Sequence, residues 1–78
     1  MKQYIGVISR HDPDGKSTPL EIIWEDGRRF DIDKVLDVRR AASLKAGGAG
    51  IRYTCKIRNR EIFLFDEEGR WFIERRDR

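Results

Sequence analysis

Short runs in which apolar and polar residues alternate, separated by turn-forming residues, cover most of this chain. The clearest run, residues 51–57, places an apolar side chain at every second position, and residues 20–24 repeat the pattern. A period of two is typical of a half-buried β-strand. The pattern predicts strands over residues 4–10, 20–24, 29–33, 51–58 and 61–65, with a last strand from Trp71.

Two similar turn motifs, residues 24–30 and 65–72, each place acidic residues and a glycine between strand-like runs. Glycine supplies the positive φ that a type I turn followed by a bulge requires. In the first motif, a three-residue loop at residues 25–27 aligns Ile22 with Phe30 and Leu20 with Ile32. That register keeps the apolar side chains on one face, so we expect it to form.

The register of the last two hairpins is less strongly determined, because residues 62–65 are apolar on both faces. Three-residue loops at residues 58–60 and 67–69 are one of the two choices that the pattern leaves open. This choice gives a core face of Tyr53, Cys55, Ile57, Phe63, Phe65, Trp71 and Ile73. It leaves an apolar patch of Ile62, Leu64 and Phe72 on the opposite face, either exposed as a protein-binding surface or covered by another segment. Two-residue loops would exchange these roles.

Residues 34–46 fit either a long bent strand or a helix that ends before Gly47, and we favour the strand because both neighbours are strands. The chain as a whole is predicted to be all-β and to form a single domain, residues 1–78. Six to seven short antiparallel strands would form a small, strongly curled sheet or an SH3-like or OB-like barrel.

Charge adds a candidate partner to this scaffold. Of the 78 residues, 40% are charged, yet the net charge is only +3, so acidic and basic residues are interspersed. The basic residues are mostly arginines, which suit planar contacts with phosphate. We therefore expect a contact with nucleic acid through an arginine-rich sheet face formed by Arg39, Arg40, Lys45, Arg52, Lys56 and Arg58.

Candidate chemistry is sparse. One cysteine, Cys55, and one histidine, His11, cannot form an internal disulfide or complete a structural zinc site. No nucleophile motif or acid–base pair is recognisable, so we predict no catalytic residues, no metal, no cofactor and no enzyme activity. No signal peptide or transmembrane stretch is evident, and a cytoplasmic location is expected. Because the domain is small, its stability could depend on oligomerisation.

Three segments, residues 19–30, 50–54 and 69–74, resemble a group of short proteins of Gram-positive anaerobic bacteria to which no activity is assigned. The resemblance spans most of the chain and implies a bacterial cytoplasmic protein, but it supplies no functional residues. The sequence therefore favours a non-enzymatic binding module. The two partners considered are nucleic acid, through the arginine-rich face, and a protein, through the apolar patch or a sheet edge.

Overall fold

The computed structural model describes residues 2–40 and 50–74, which form eight antiparallel strands. The strands are β1 (Lys2–Tyr4), β2 (Gly6–His11), β3 (Ser17–Ile23), β4 (Arg29–Asp31), β5 (Lys34–Arg40), β6 (Ile51–Ile57), β7 (Arg60–Glu67) and β8 (Arg70–Glu74). The all-β prediction is confirmed. Nowhere in the described ranges is there a helix with the length and apolarity that crossing a membrane requires.

The strands form two antiparallel sheets. Five strands pair in the order β1-β8-β7-β6-β5, and the other three pair in the order β2-β3-β4. Within residues 2–40 and 50–74, neither sheet is strongly curled or closes on itself, so the predicted curled sheet or barrel is wrong. Two sheets bury their facing surfaces against each other without closure.

The chain passes between the sheets at Ile5, so the single strand predicted over residues 4–10 is in fact β1 and β2. The Ile5 amide donates a hydrogen bond to the Trp71 carbonyl at 3.1 Å, which continues the pairing of β1 with β8. Gly6 then lies close to β3, where an added Cβ would be 3.3 Å from the Ile23 Cβ. A residue with a side chain would need Ile23 to move, which explains the glycine at this crossing.

A second crossing joins β4 to β5 at Asp33. Its amide donates to the Lys56 carbonyl at 2.8 Å, and its carboxylate accepts the Arg58 amide at 3.0 Å. The strand favoured for residues 34–46 is confirmed over Lys34–Arg40, and its bend is a register shift between Val35 and Asp37. The rest of that segment, from residue 41, lies outside the described residues.

The first hairpin has the predicted register. Ile22 pairs with Phe30, and Gly27 has the positive φ of 91° that its turn needs. Leu20, however, does not share the buried face. A bulge in the pairing of β2 with β3 makes Leu20 an extra residue, which leaves it exposed and places Pro19 in the interior instead.

The last two hairpins use two-residue loops, which decides between the two registers that the sequence left open. Arg58 and Asn59 have φ values of 50° and 66°, and Glu68 and Gly69 have 53° and 85°. Two consecutive positive φ values define the type I′ turn, whose twist matches that of the flanking strands. The register becomes Tyr53 with Leu64 and Phe65 with Phe72.

This register assigns the two faces of the five-stranded sheet. We call the face that packs on the three-stranded sheet the inner face, and the opposite one the outer face. The inner face carries Tyr53, Cys55, Ile57, Ile62, Leu64, Trp71 and Ile73, and the outer face carries Tyr4, Phe63, Phe65 and Phe72. The predicted core was therefore correct for β6 and for Trp71 and Ile73 of β8. Phe63 and Phe65 of β7, which three-residue loops would have placed on the inner face, lie on the outer face, where Phe65 is buried and Phe63 is 41% exposed.

The main core cluster lies between the sheets, while Phe65 and Phe72 are buried on the outer face. Ile22 of β3 packs with inner-face residues of β6 and β7, including the fully buried Cys55 and Leu64. The Tyr53 hydroxyl donates to the Ser17 carbonyl at 3.1 Å, which ties β6 to the start of β3. Burial of this apolar surface supplies the main stabilisation, at about 25 cal/mol per Å².

Candidate binding surfaces

The predicted apolar patch does not form. Leu64 and Phe72 are both 0% exposed, and they lie on opposite faces of the five-stranded sheet. Ile62 is half-buried on the inner face, where it lines a groove described below. The two-residue turns are the physical reason, because shifting a register by one residue moves a side chain to the other face.

Three of the residues predicted to contact nucleic acid do share one surface. Arg39 pairs directly with Arg52 across β5 and β6, and Lys56 follows on the same outer face of β6. Arg40 pairs with Ile51 and therefore belongs to the opposite side of the sheet. Lys45 lies outside the described residues. The arginine-rich face consequently contains fewer residues than predicted.

The sixth residue, Arg58, is separated from the others by its turn. Its guanidinium carbon lies 5.0 Å from the centroid of the Phe30 ring, which belongs to the three-stranded sheet. Arg58 therefore points toward the space between the sheets rather than toward the outer face.

The outer face combines these cations with exposed aromatic rings. The Arg52 guanidinium carbon lies 4.7 Å from the centroid of Phe63, which is 41% exposed. The Arg70 guanidinium carbon likewise lies 4.6 Å from the ring centroid of Tyr4, which is also exposed. Each pair places a cation against an aromatic face, an arrangement that the ring quadrupole favours. The sequence alone did not indicate the roles of Tyr4, Phe63 and Arg70.

Several outer-face charges are already paired. Asp37 accepts a hydrogen bond from Arg39 at 2.7 Å, and Glu67 accepts one from Lys2 at 3.2 Å. The second contact raises the pKa of Lys2 above its usual 10.5. In the part of the chain that the structure describes, no acidic group forms an ion pair with Arg52, Lys56 or Arg70.

Lys56 illustrates the charge balance within this face. It lies between Lys34 on β5 and Glu61 on β7, its direct cross-strand neighbours. Directly opposed like charges destabilise a sheet, and the opposite charge on the other side offsets part of this cost. An anion bound near Lys34 and Lys56 would lower the remaining repulsion.

A second surface is a groove between the sheets, open to solvent, with a volume of about 690 Å³. We call it the arginine groove. We call its buried and half-buried isoleucines the floor, its two half-buried aromatic residues the aromatic wall, and its three exposed arginines the rim. The lining residues are Ile22, Trp24, Arg28, Phe30, Ile57, Arg58, Arg60, Ile62 and Ile73.

The first hairpin turn positions one side of the arginine groove. Asp26 accepts hydrogen bonds from the Arg28 amide at 3.0 Å and from Arg28 Nε at 2.7 Å. These contacts, the amide first, lower the pKa of the Asp26 carboxyl below 3.8. They hold the Arg28 guanidinium 5.8 Å from the centroid of Phe30, the same ring that Arg58 contacts.

The two candidates for nucleophilic or acid–base chemistry occupy ordinary structural positions. Cys55 is fully buried in the core, and burial raises the pKa of its thiol to about 11. The thiolate is therefore scarce at neutral pH. His11 is exposed on β2, and its ring nitrogens contact the hydroxyl groups of Ser9 at 3.2 Å and Ser17 at 2.8 Å.

Comparison with known proteins adds no relative: no family model, no curated protein and no solved structure matches this chain. The resemblance to short proteins of Gram-positive anaerobes, and the bacterial and cytoplasmic origin that it implies, stay predictions. The two surfaces themselves are therefore the evidence that bears on function.

Proposed function

We propose that this protein is a non-enzymatic binding module that contacts single-stranded nucleic acid through the outer face of the five-stranded sheet. The observation that carries the proposal is the contact of Arg52 with the exposed ring of Phe63, beside Lys56. Sheet surfaces that combine aromatic rings with cations are a common way to bind single strands, since bases stack on the rings and phosphates meet the charges.

The geometry suits a single strand better than a duplex. The exposed rings of Phe63 and Tyr4 lie on the same face, on β7 and β1, with β8 between those strands. Stacking contributes about 1–3 kcal/mol per base, and it requires bases that are not paired in a duplex. Beside these rings, Arg52, Lys56 and Arg70 form no ion pair among the described residues, although Glu61 and Glu67 are the cross-strand neighbours of Lys56 and Arg70.

The proposal predicts a measurable salt dependence. If those three cations each neutralise one phosphate of a single strand, the slope of log K against log salt is about −2. Fluorescence anisotropy of a labelled oligothymidylate, titrated at several KCl concentrations, measures this slope. Failure to bind at low salt would contradict the proposal.

Matched variants locate the contact. Arg52→Gln should make the salt slope shallower by about 0.7, and Phe63→Leu should weaken binding roughly tenfold at every salt concentration, since it removes a stacking ring. Arg10→Gln makes the same charge change on exposed β2 of the other sheet and serves as the control. An equal loss in Arg10→Gln would indicate attraction by net charge alone.

A protein partner that adds a strand to β5 is the second candidate function. Among the described strands, β5 pairs only with β6, and it carries the exposed side chains of Leu36 and Val38, the latter 49% exposed. An open edge with apolar side chains is suited to pairing with another strand. If that strand comes from a second copy, sedimentation should depend on concentration, and Val38→Lys should abolish the dependence. A chain that remains monomeric at high concentration would exclude self-pairing at this edge.

A further inference from the structure

We infer that the arginine groove is a separate binding site for a small aromatic anion, a flat ring that carries one carboxylate. This site lies on the side of the five-stranded sheet opposite to the outer face, so the inference does not depend on nucleic-acid binding. Three features of the groove support it: its size and apolar floor, the aromatic wall, and the charge at its rim.

The groove is open to solvent and large enough for a small ligand. A volume of about 690 Å³ lies within the range of small-molecule pockets, roughly 300–1,000 Å³. The floor is formed by isoleucines from both sheets, Ile22 from β3 and Ile57, Ile62 and Ile73 from β6, β7 and β8. Such a floor offers apolar contact and no hydrogen-bonding side chain, so the part of a ligand that enters it must be apolar.

The aromatic wall favours a flat ring. Trp24 and Phe30 both line the groove, and both are only half-buried. The exposed part of Trp24 and the edge of Phe30, whose ring Arg28 and Arg58 approach, offer the offset or edge-to-face contacts that aromatic groups prefer. An aromatic ligand would therefore replace water on these rings with a contact of defined geometry.

The charge at the rim favours an anion. Arg28 and Arg58 approach the same ring, with guanidinium carbons 5.8 Å and 5.0 Å from the Phe30 centroid, and Arg60 lines the same groove. Of the three, only Arg28 forms an ion pair with an acid in the described part of the chain. A carboxylate at the rim would reduce the mutual repulsion of the guanidiniums and accept paired hydrogen bonds from one of them.

The test uses naphthalene-1-acetate as the probe and naphthalene-1-acetamide as its neutral counterpart of nearly equal shape. Nuclear magnetic resonance of ¹⁵N-labelled protein reports the two indole N–H groups separately. Trp24 lines the arginine groove, whereas Trp71 does not and packs 5.3 Å from the Tyr53 ring. We expect the Trp24 signal to shift with a dissociation constant of about 1 mM, the affinity typical of a ligand of this size, while Trp71 shifts little.

Variants of the rim arginines test whether their charge binds the carboxylate. Arg60→Gln should lower the affinity for the acetate roughly three- to tenfold and leave the weaker affinity for the acetamide unchanged. Arg28→Gln is a second variant of the same rim. Arg10→Gln controls for net charge, and Phe63→Leu controls for the outer face. The inference is overturned if the acetamide binds as tightly as the acetate. An equal loss in Arg10→Gln, or a larger shift of Trp71 than of Trp24, would also overturn it.

Discussion

Truncation of Phe72 should remove a large part of the stability of the fold, although the sequence alone would allow this residue to be an exposed contact. Its ring is 0% exposed, stacks on Phe65 with centroids 5.1 Å apart, and meets Tyr4 edge-on at 5.6 Å. The Lys2 ammonium lies 4.5 Å from the same ring. Phe72→Ala removes all of these contacts and leaves a cavity.

The expected cost is large relative to the stability of the domain. Truncating a buried phenylalanine to alanine costs about 3–5 kcal/mol. A domain of 78 residues is expected to have a free energy of unfolding of about 4–12 kcal/mol, from 0.05–0.15 kcal/mol per residue. The variant should therefore lose between about a quarter of its stability and all of it.

Urea unfolding followed by tryptophan fluorescence measures this cost, with Phe63→Ala as the matched control on the same face. Because Phe63 is partly exposed and contacts Arg52, its truncation should cost about 1 kcal/mol. If Phe72→Ala lost no more stability than Phe63→Ala, at an unchanged m value, the result would contradict the burial of the Phe72 ring. Phe72→Leu should recover most of the loss, since leucine fills much of the cavity.

Three further predictions test other parts of the structure. The Cys55 thiol, with a pKa of about 11, should resist a thiol reagent at pH 8 in the folded protein and react quickly in urea, and fast labelling of the native state would contradict its burial. Gly69→Ala should lower the free energy of unfolding in urea by about 1 kcal/mol, because Gly69 has a φ of 85°. Asn59→Gly, at the other type I′ turn, should leave the free energy of unfolding nearly unchanged. Equal losses of stability in the two variants would exclude these turns. The pKa of the Asp26 carboxyl, followed by carbon NMR, should lie below 3.8 in the native state and near 3.8 in urea. The stabilisation that this carboxylate provides is therefore fully present above pH 3.8 and is lost as the pH falls through the native pKa. Identical titrations in both states would show that the Arg28 contacts are absent in solution.

The two hairpin motifs show how far the sequence could predict the fold. In the first, only one face is apolar near the turn, so the pattern and Gly27 together define the pairing of Ile22 with Phe30. In the second region, both faces of β7 are apolar, and the pattern favours neither register. The choice depends on backbone conformation at Arg58 and Asn59, where left-handed φ values are taken up without glycine. Asn59 was the available signal, since asparagine tolerates this conformation better than most residues.

The binding surfaces were less predictable than the strands because they combine residues that are distant in the chain. Arg28 and Arg60 reach the same groove only because the chain crosses between the sheets at Ile5 and at Asp33. The pairing of Arg39 with Arg52 could not be predicted without the bulge between Val35 and Asp37, which shifts the register of β5. Basic residues could be identified by type, but their faces depended on turns and bulges that shift register by one residue.

The most direct test of the proposed function is to map a bound oligothymidylate on ¹⁵N-labelled protein at low salt. The proposal predicts that amide shifts concentrate around Phe63, Arg52 and Lys56, extend to Tyr4 and Arg70, and diminish as KCl is raised. Shifts that concentrate instead on the three-stranded sheet or at the arginine groove, or no shifts at any salt concentration, would contradict it.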